Sequence, residues 1–441
     1  MPLGQIIEEQ ASIVAEFSPR HRLELGLRIS LFVGLCTLLI FGPLALGIVQ
    51  DWSIALFEVG AAVVLLIWMA WQLAARQFRI RWNPLFVPML GFFGVVLVQI
   101  VCRRSAYLFD TLSELWLYIA YGILAFVAVQ LFRADDDWMP RFGKTMAVFG
   151  AVYSVFAVLQ GFTSEGNIYW LMKPRAGSVY GSYVNHNHYA GLMELLIPFA
   201  VVLTLSGSIR GAKRFLLGFA AMLMVASVFL CQSRGGMFAV IAETVFLAVI
   251  WMRKFSPRKS AALFVAFCLV TALFLAWIAP QQVGGRITDT HDPARWLIHR
   301  DSFHMFAAHP FLGSGFGTFA TAFPHYRVFY DGFFINHAHD DYLELLLETG
   351  SAGFGVGVMF IVVLYREGLR NLRPARISPA ALVSAAALAG CTGLLAHSFT
   401  DFNLHIPANA ALFYVLCTVA TVPGSRNGGR THSYLGKNGG A

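Results

Sequence analysis

Residues 29–50 read ISLFVGLCTLLIFGPLALGIVQ, twenty-two positions without one charged side chain. At a rise of 1.5 Å per residue such a run covers about 30 Å as a helix, the thickness of a bilayer's hydrocarbon core. It follows a polar stretch and ends without a small-residue cleavage site, so it reads as a retained anchor rather than a removable signal. Eleven further runs of this kind follow, near 53–75, 83–102, 115–132, 145–163, 190–208, 215–232, 236–252, 261–280, 342–364, 379–399 and 406–423. The pattern predicts an all-α integral membrane protein, a bundle of about 12 transmembrane helices. Residues 1–28 read as a cytoplasmic N-terminal segment, 29–423 as the membrane domain and 424–441 as a cytoplasmic tail. The segment 281–340, far longer than any other connection, reads as a periplasmic loop with short helices of its own.

Composition agrees: 57% of the 441 residues are hydrophobic and only 13% charged, well outside the range of soluble domains. The net charge of +8 does not indicate nucleic acid, because Lys and Arg are dispersed between apolar runs rather than gathered in one patch. They sort by side instead. With the N-terminus inside, 23 of the 32 Lys and Arg fall in inner segments, as the positive-inside rule requires. Both termini are therefore expected in the cytoplasm. Eleven of the thirteen His fall on or near the outer side, which is where chemistry near neutral pH is expected. The six Cys lie in or beside apolar runs without CxxC spacing and read as core residues.

Four outer stretches carry chemistry-bearing side chains. Residues 181–190, GSYVNHNHYA, lead into a helix expected to close on Pro198. Asn185, Asn187 and His188 suit either sugar hydroxyls or a plain helix cap. Ser233-Arg234-Gly235-Gly236 is squeezed between two membrane runs. There a desolvated Arg234 pairs strongly with phosphate, or else anchors the helix end by snorkelling. In the long loop, Asp292-Pro293 opens a helix that should end at His309-Pro310, with Arg295 and Arg300 as a diphosphate clamp or as part of an interfacial amphipathic helix. Gly313-Ser314-Gly315-Phe316-Gly317 follows no strand and reads as a turn. The fourth stretch is 337–350, HAHDDYLELLLETG. His337 or His339, next to a helix N-terminus whose dipole keeps imidazole neutral, is placed for a general base. A metal is not expected, because Tyr342 stands where an HxHxDH pattern needs its last His.

In order and spacing these pieces, with Arg295-Trp296, His309-Pro310-Phe311-Leu312-Gly313, Glu348, Gly350 and the stretch from His397 to Asn409, resemble the bacterial O-antigen ligase and O-antigen polymerase family. The resemblance covers most of residues 140–420. It implies an inverting, metal-independent glycosyltransferase without cofactor in the bacterial inner membrane. Such an enzyme takes a glycan from an undecaprenyl diphosphate carrier and joins it to a glycan or lipid acceptor hydroxyl at the periplasmic face. By position, Arg234 and Arg295 hold the diphosphate and His339 activates the acceptor, with His337 as a rival base. Asp340, Glu348 and Asp401 stand as supporting residues. Asp340 departs from the family, which more often has Asn or Ser there. The competing reading is a transporter or flippase for lipid-linked saccharides. Such proteins place ionisable groups at mid-membrane, where only Glu243 clearly stands.

Overall fold

The computed structural model describes residues 19–135, 137–174, 177–207, 209–254, 265, 269, 293–330, 332, 334–373 and 378–423. Among these the chain is helical, with three isolated β-bridges and no strand. In chain order the helices are α1 (Pro19–Leu44), α2 (Asp51–Ala75), α3 (Phe86–Val101), α4 (Leu108–Phe132), α5 (Trp138–Thr163), α6 (His186–Leu205), α7 (Ala212–Leu230), α8 (Arg234–Lys254), α9 (Pro293–Ala308), the short α10 (Phe319–Ala322), α11 (Asp341–Asn371), α12 (Pro379–His397) and α13 (Pro407–Thr421). Nine of them are long and apolar enough to cross a membrane, and α3 and α13 are shorter apolar helices. Eleven of the twelve expected runs are thus helices. The twelfth, 261–280, lies outside the described residues apart from Val265 and Leu269, as do residues 1–18 and the 424–441 tail.

Helices α6 and α12 form the centre. α6 is buried along nearly its whole length, whereas α1 and α2 bury a single face and leave the rest to lipid. α12, PAALVSAAALAGCTGLLAH, is rich in Ala and Gly, so neighbouring backbones approach closely. A Cβ on its Gly390 would stand 3.0 Å from Leu195 Cα of α6. The expected closure of α6 at Pro198 is not observed. The proline lies inside the helix, which runs on to Leu205, since tight packing on all sides holds it together.

One loop crossing sets the geometry of the functional end. α11 breaks at Gly350 (φ 62°, ψ −169°), a conformation that belongs to glycine. The break lets residues 310–317 run against it. Ser351 N and Ala352 N donate to the carbonyls of Pro310 and Phe311, at 2.8 and 3.1 Å, while Ser314 N and Gly315 N donate to those of Leu347 and Glu348, at 3.1 and 2.9 Å. A Cβ at Gly350 or Gly313 would collide with the opposite backbone. The buried Glu348 carboxylate fixes the crossing from below, accepting from Gly317 N at 2.9 Å and Phe319 N at 2.8 Å.

Candidate functional site

The site is built around Phe402, between α12 and α13. His337 stacks on its ring at 4.1 Å, and His188 and His339 meet it edge-on at 4.8 and 5.1 Å. Three imidazoles from two distant stretches of sequence thus share one aromatic partner. Local rules explain how they get there. Asn185 caps α6, its side chain accepting from Asn187 N at 2.9 Å, and its amide nitrogen lies 3.3 Å from His188 Nε2. Asp340 caps α11, accepting from Tyr342 N and Leu343 N at 2.9 and 3.0 Å. His339 just before it holds a left-handed φ of 57°, a conformation uncommon for a residue other than glycine.

Asp401 is fully buried, and its carboxylate faces His339 Nδ1 at 3.6 Å and His188 Nε2 at 3.8 Å. These separations are longer than hydrogen bonds, and neither oxygen has a hydrogen-bond partner among the described residues. Burial opposes ionisation, but His339, His188 and His397 around it outweigh burial and hold the carboxyl well below the usual carboxylate range. Next to it, Thr400 O accepts from Arg295 Nη1 at 2.7 Å. Arg234 opens α8, where Ser233 Oγ accepts from Gly236 N at 3.1 Å. The following Gly235 lies so close to His397 and Thr400 that a Cβ would meet Thr400 Oγ1 at 2.5 Å. The half-buried Arg234 guanidinium has no ionic or hydrogen-bonded partner among the described residues. Arg295, His188, His339 and Asp401 therefore meet on residues 397–402, and Arg234 stands beside them through its neighbour Gly235.

Other expected residues have different work. Arg300 is not brought to this cluster by any described contact. It pairs with the buried Asp301 at 2.8 Å and lies over the Trp296 ring at 5.6 Å, whereas Arg295 reaches Thr400. Asp301 also accepts from Val328 N, which ties α9 to the loop behind it. Asn185, Asp340 and Glu348 serve as caps and braces in the contacts described, and Asn187 enters them only through its backbone N–H. The helix beginning at Pro293 ends at Ala308, as the His309-Pro310 pair requires, while Asp292 lies outside the described residues.

Sequence reasoning passed over a second histidine–carboxylate cluster. His337 Nδ1 lies 2.8 Å from Glu344 Oε1, His405 Nε2 3.4 Å from the same oxygen, and His405 Nδ1 2.9 Å from Asp341 Oδ1. Burial disfavours charge on His405, but Glu344 and Asp341 overcome it and raise its pKa well above the ordinary histidine value. His337, Glu344 and His405 present donor atoms within 4.8 Å of one another, a spacing that could hold a metal ion. An imidazolium at His405, hydrogen-bonded to Asp341 and charge-paired with Glu344, accounts for the same contacts. Below the first cluster, His397 Nδ1 meets Glu194 Oε1 at 2.8 Å, both side chains buried. The signal for these partners was present only as lone polar residues at helix ends.

The model of the O-antigen ligase family matches residues 219–358, a stretch that contains Arg234, Arg295, His337, His339 and Glu348. No curated protein matches the chain. In this all-helical membrane bundle the stretch similar to the O-antigen ligase family thus carries Arg234, Arg295 and His339, the residues beside Thr400 and Asp401.

Proposed function

We propose that the protein transfers a glycan from an undecaprenyl diphosphate carrier to an acceptor hydroxyl at the periplasmic face of the inner membrane, with inversion and without a metal. The observation that carries this reading is that Arg295 and the His339–Asp401 pair meet on one short turn, against which Gly235 sets the neighbouring, unpaired Arg234. Diphosphate departs readily once its charge is neutralised, and guanidinium does this bidentately without titrating. His339 turns Nδ1 toward Asp401, so Nε2 is the nitrogen left to accept a proton. In the reaction the acceptor O–H proton passes to that Nε2 and the acceptor oxygen bonds to the anomeric carbon. The bond from that carbon to the phosphate oxygen breaks, and the carrier leaves as a diphosphate held by Arg234 and Arg295. Asp401 stabilises the imidazolium as it forms. The family match favours transfer over a flippase.

The test is glycan transfer by purified protein in nanodiscs supplied with labelled lipid-linked donor and acceptor. His339→Ala should lower turnover by about 10²- to 10⁴-fold and Arg234→Ala by about 10²-fold. Arg300→Ala, whose guanidinium is engaged by Asp301, should retain most activity. Full turnover in H339A or R234A overturns the assignment.

A further inference from the structure

On the far side of the α11 crossing lies a second basic concavity. A cavity of about 350 Å³ is lined by Arg103, Arg104, His309, His325, Ser314 and Tyr326, among others, and by no carboxylate. The arginines follow α3, the histidines bracket the Gly313–Gly317 turn, and the walls are pinned. Arg104 N donates to Gln99 O at 2.8 Å and Ala106 N to Ser314 O at 2.6 Å. Gly315 passes Ser105 so closely that a Cβ would stand 2.7 Å from its Cα. One acid touches the lining from outside: Asp110 accepts from Thr321 Oγ1 at 2.7 Å. Neither guanidinium has an ionic or hydrogen-bonded partner among the described residues. Two fixed cations and two imidazoles around an acid-free hollow make a site for an anion. It shares no residue with the Phe402 cluster. Arg295 and His309 bracket α9, fourteen residues apart, so the two basic centres stand about 20 Å from each other along the helix.

We propose that this pocket is a second anion site, which binds a phosphate mono- or diester on the acceptor side of the reaction while Arg234 and Arg295 hold the donor diphosphate. The acceptor assignment rests on the function proposed above; the anion site itself does not. The phosphate belongs either to a phosphorylated glycan or to a lipid headgroup, and the same chemistry serves both. A phosphate held apart from the reacting carbon would fix the register of a long acceptor without touching the chemistry.

Two binding measurements test it, neither of which needs turnover. In neutral phosphatidylcholine nanodiscs, glucose 6-phosphate is titrated with unphosphorylated glucose as control, followed by ³¹P line broadening. In mixed micelles, retention of phosphatidylglycerol over phosphatidylcholine is counted by native mass spectrometry. R103A/R104A should weaken at least one of the two by about tenfold or more, and His325→Ala by a smaller factor, whereas R234A leaves the affected one unchanged. Both arginine side chains are exposed, so these variants keep the fold. Loss in the first measurement alone assigns a glycan phosphate, and loss in the second alone a headgroup. Wild-type binding by R103A/R104A in both, or equal loss in R234A, overturns the second site. If H339A and R234A transfer normally while these binding results hold, the transferase reading fails and the anion site stands.

Discussion

Asp401→Asn removes one charge from the site and keeps the shape of the side chain. In the wild type the carboxylate faces His339 Nδ1 at 3.6 Å. At an effective dielectric of about 20, unit charges at that distance attract by about 4–5 kcal/mol. The His339 side chain is 32% exposed, and solvent screening brings the usable part to about 2 kcal/mol. That attraction develops only as His339 takes the acceptor's proton, so it belongs to the transition state and not to donor binding. D401N should therefore lower kcat roughly thirtyfold and leave KM for the donor nearly unchanged, since Arg234 and Arg295 are untouched. The assay is transfer from labelled lipid-linked donor in nanodiscs at saturating donor, with thermal unfolding of the same sample measured alongside. If D401N turns over within threefold of wild type while H339A is inactive, Asp401 does not serve His339 and the reasoning fails. A fall in Tm with unchanged kcat per folded molecule would make Asp401 structural only.

The raised pKa of His405 has a sign that can be checked. Its stabilisation is complete below about pH 6.5, where the unfolded histidine is protonated too, and is lost as pH rises toward the folded value. Wild-type thermal stability should fall on the alkaline side, and His405→Gln should start lower and lose that slope; a parallel slope in both proteins refutes the network. Gly350→Ala places a Cβ against the Phe311 backbone in a glycine-only conformation and should cost at least about 3 kcal/mol, read as a marked drop in Tm. Exhaustive chelation should leave transfer within twofold, because protons satisfy the His337–Glu344–His405 contacts. Loss restored by one added metal would make that cluster a metal centre instead.

Much of the bundle was legible in the sequence because lipid imposes a single rule, apolar runs of fixed length, and the caps at Asn185 and Asp340 obey local hydrogen-bonding chemistry. Of the first-named residues, Arg234 and His339 stood out as polar groups at the ends of such runs, and Arg295 as a cation in the one long loop. What pairs with them did not. Glu194 and His397 are 203 residues apart, and periodicity along each helix says nothing of which faces meet. Phe402 is one of 39 phenylalanines, and only the fold shows three imidazoles on its ring. For Arg300 the converse holds: its neighbour Asp301 is buried and pairs with it, which spacing alone does not reveal. The glycines of the 313–317 turn were read correctly as a bend, but nothing in the sequence showed that this bend crosses the expected helix at Gly350.

The separation of Glu194 from His397 also governs how the polypeptide is made. At about 5–20 residues per second, the ribosome needs roughly 10–40 s to deliver the histidine after the glutamate. For that interval α6 carries into the translocon an acid whose partner does not yet exist. A charge with no companion is costly in hydrocarbon, so the nascent segment is held at the insertion channel or enters in its neutral, protonated form. Synthesis must proceed almost to the last two helices before the centre of the bundle can close.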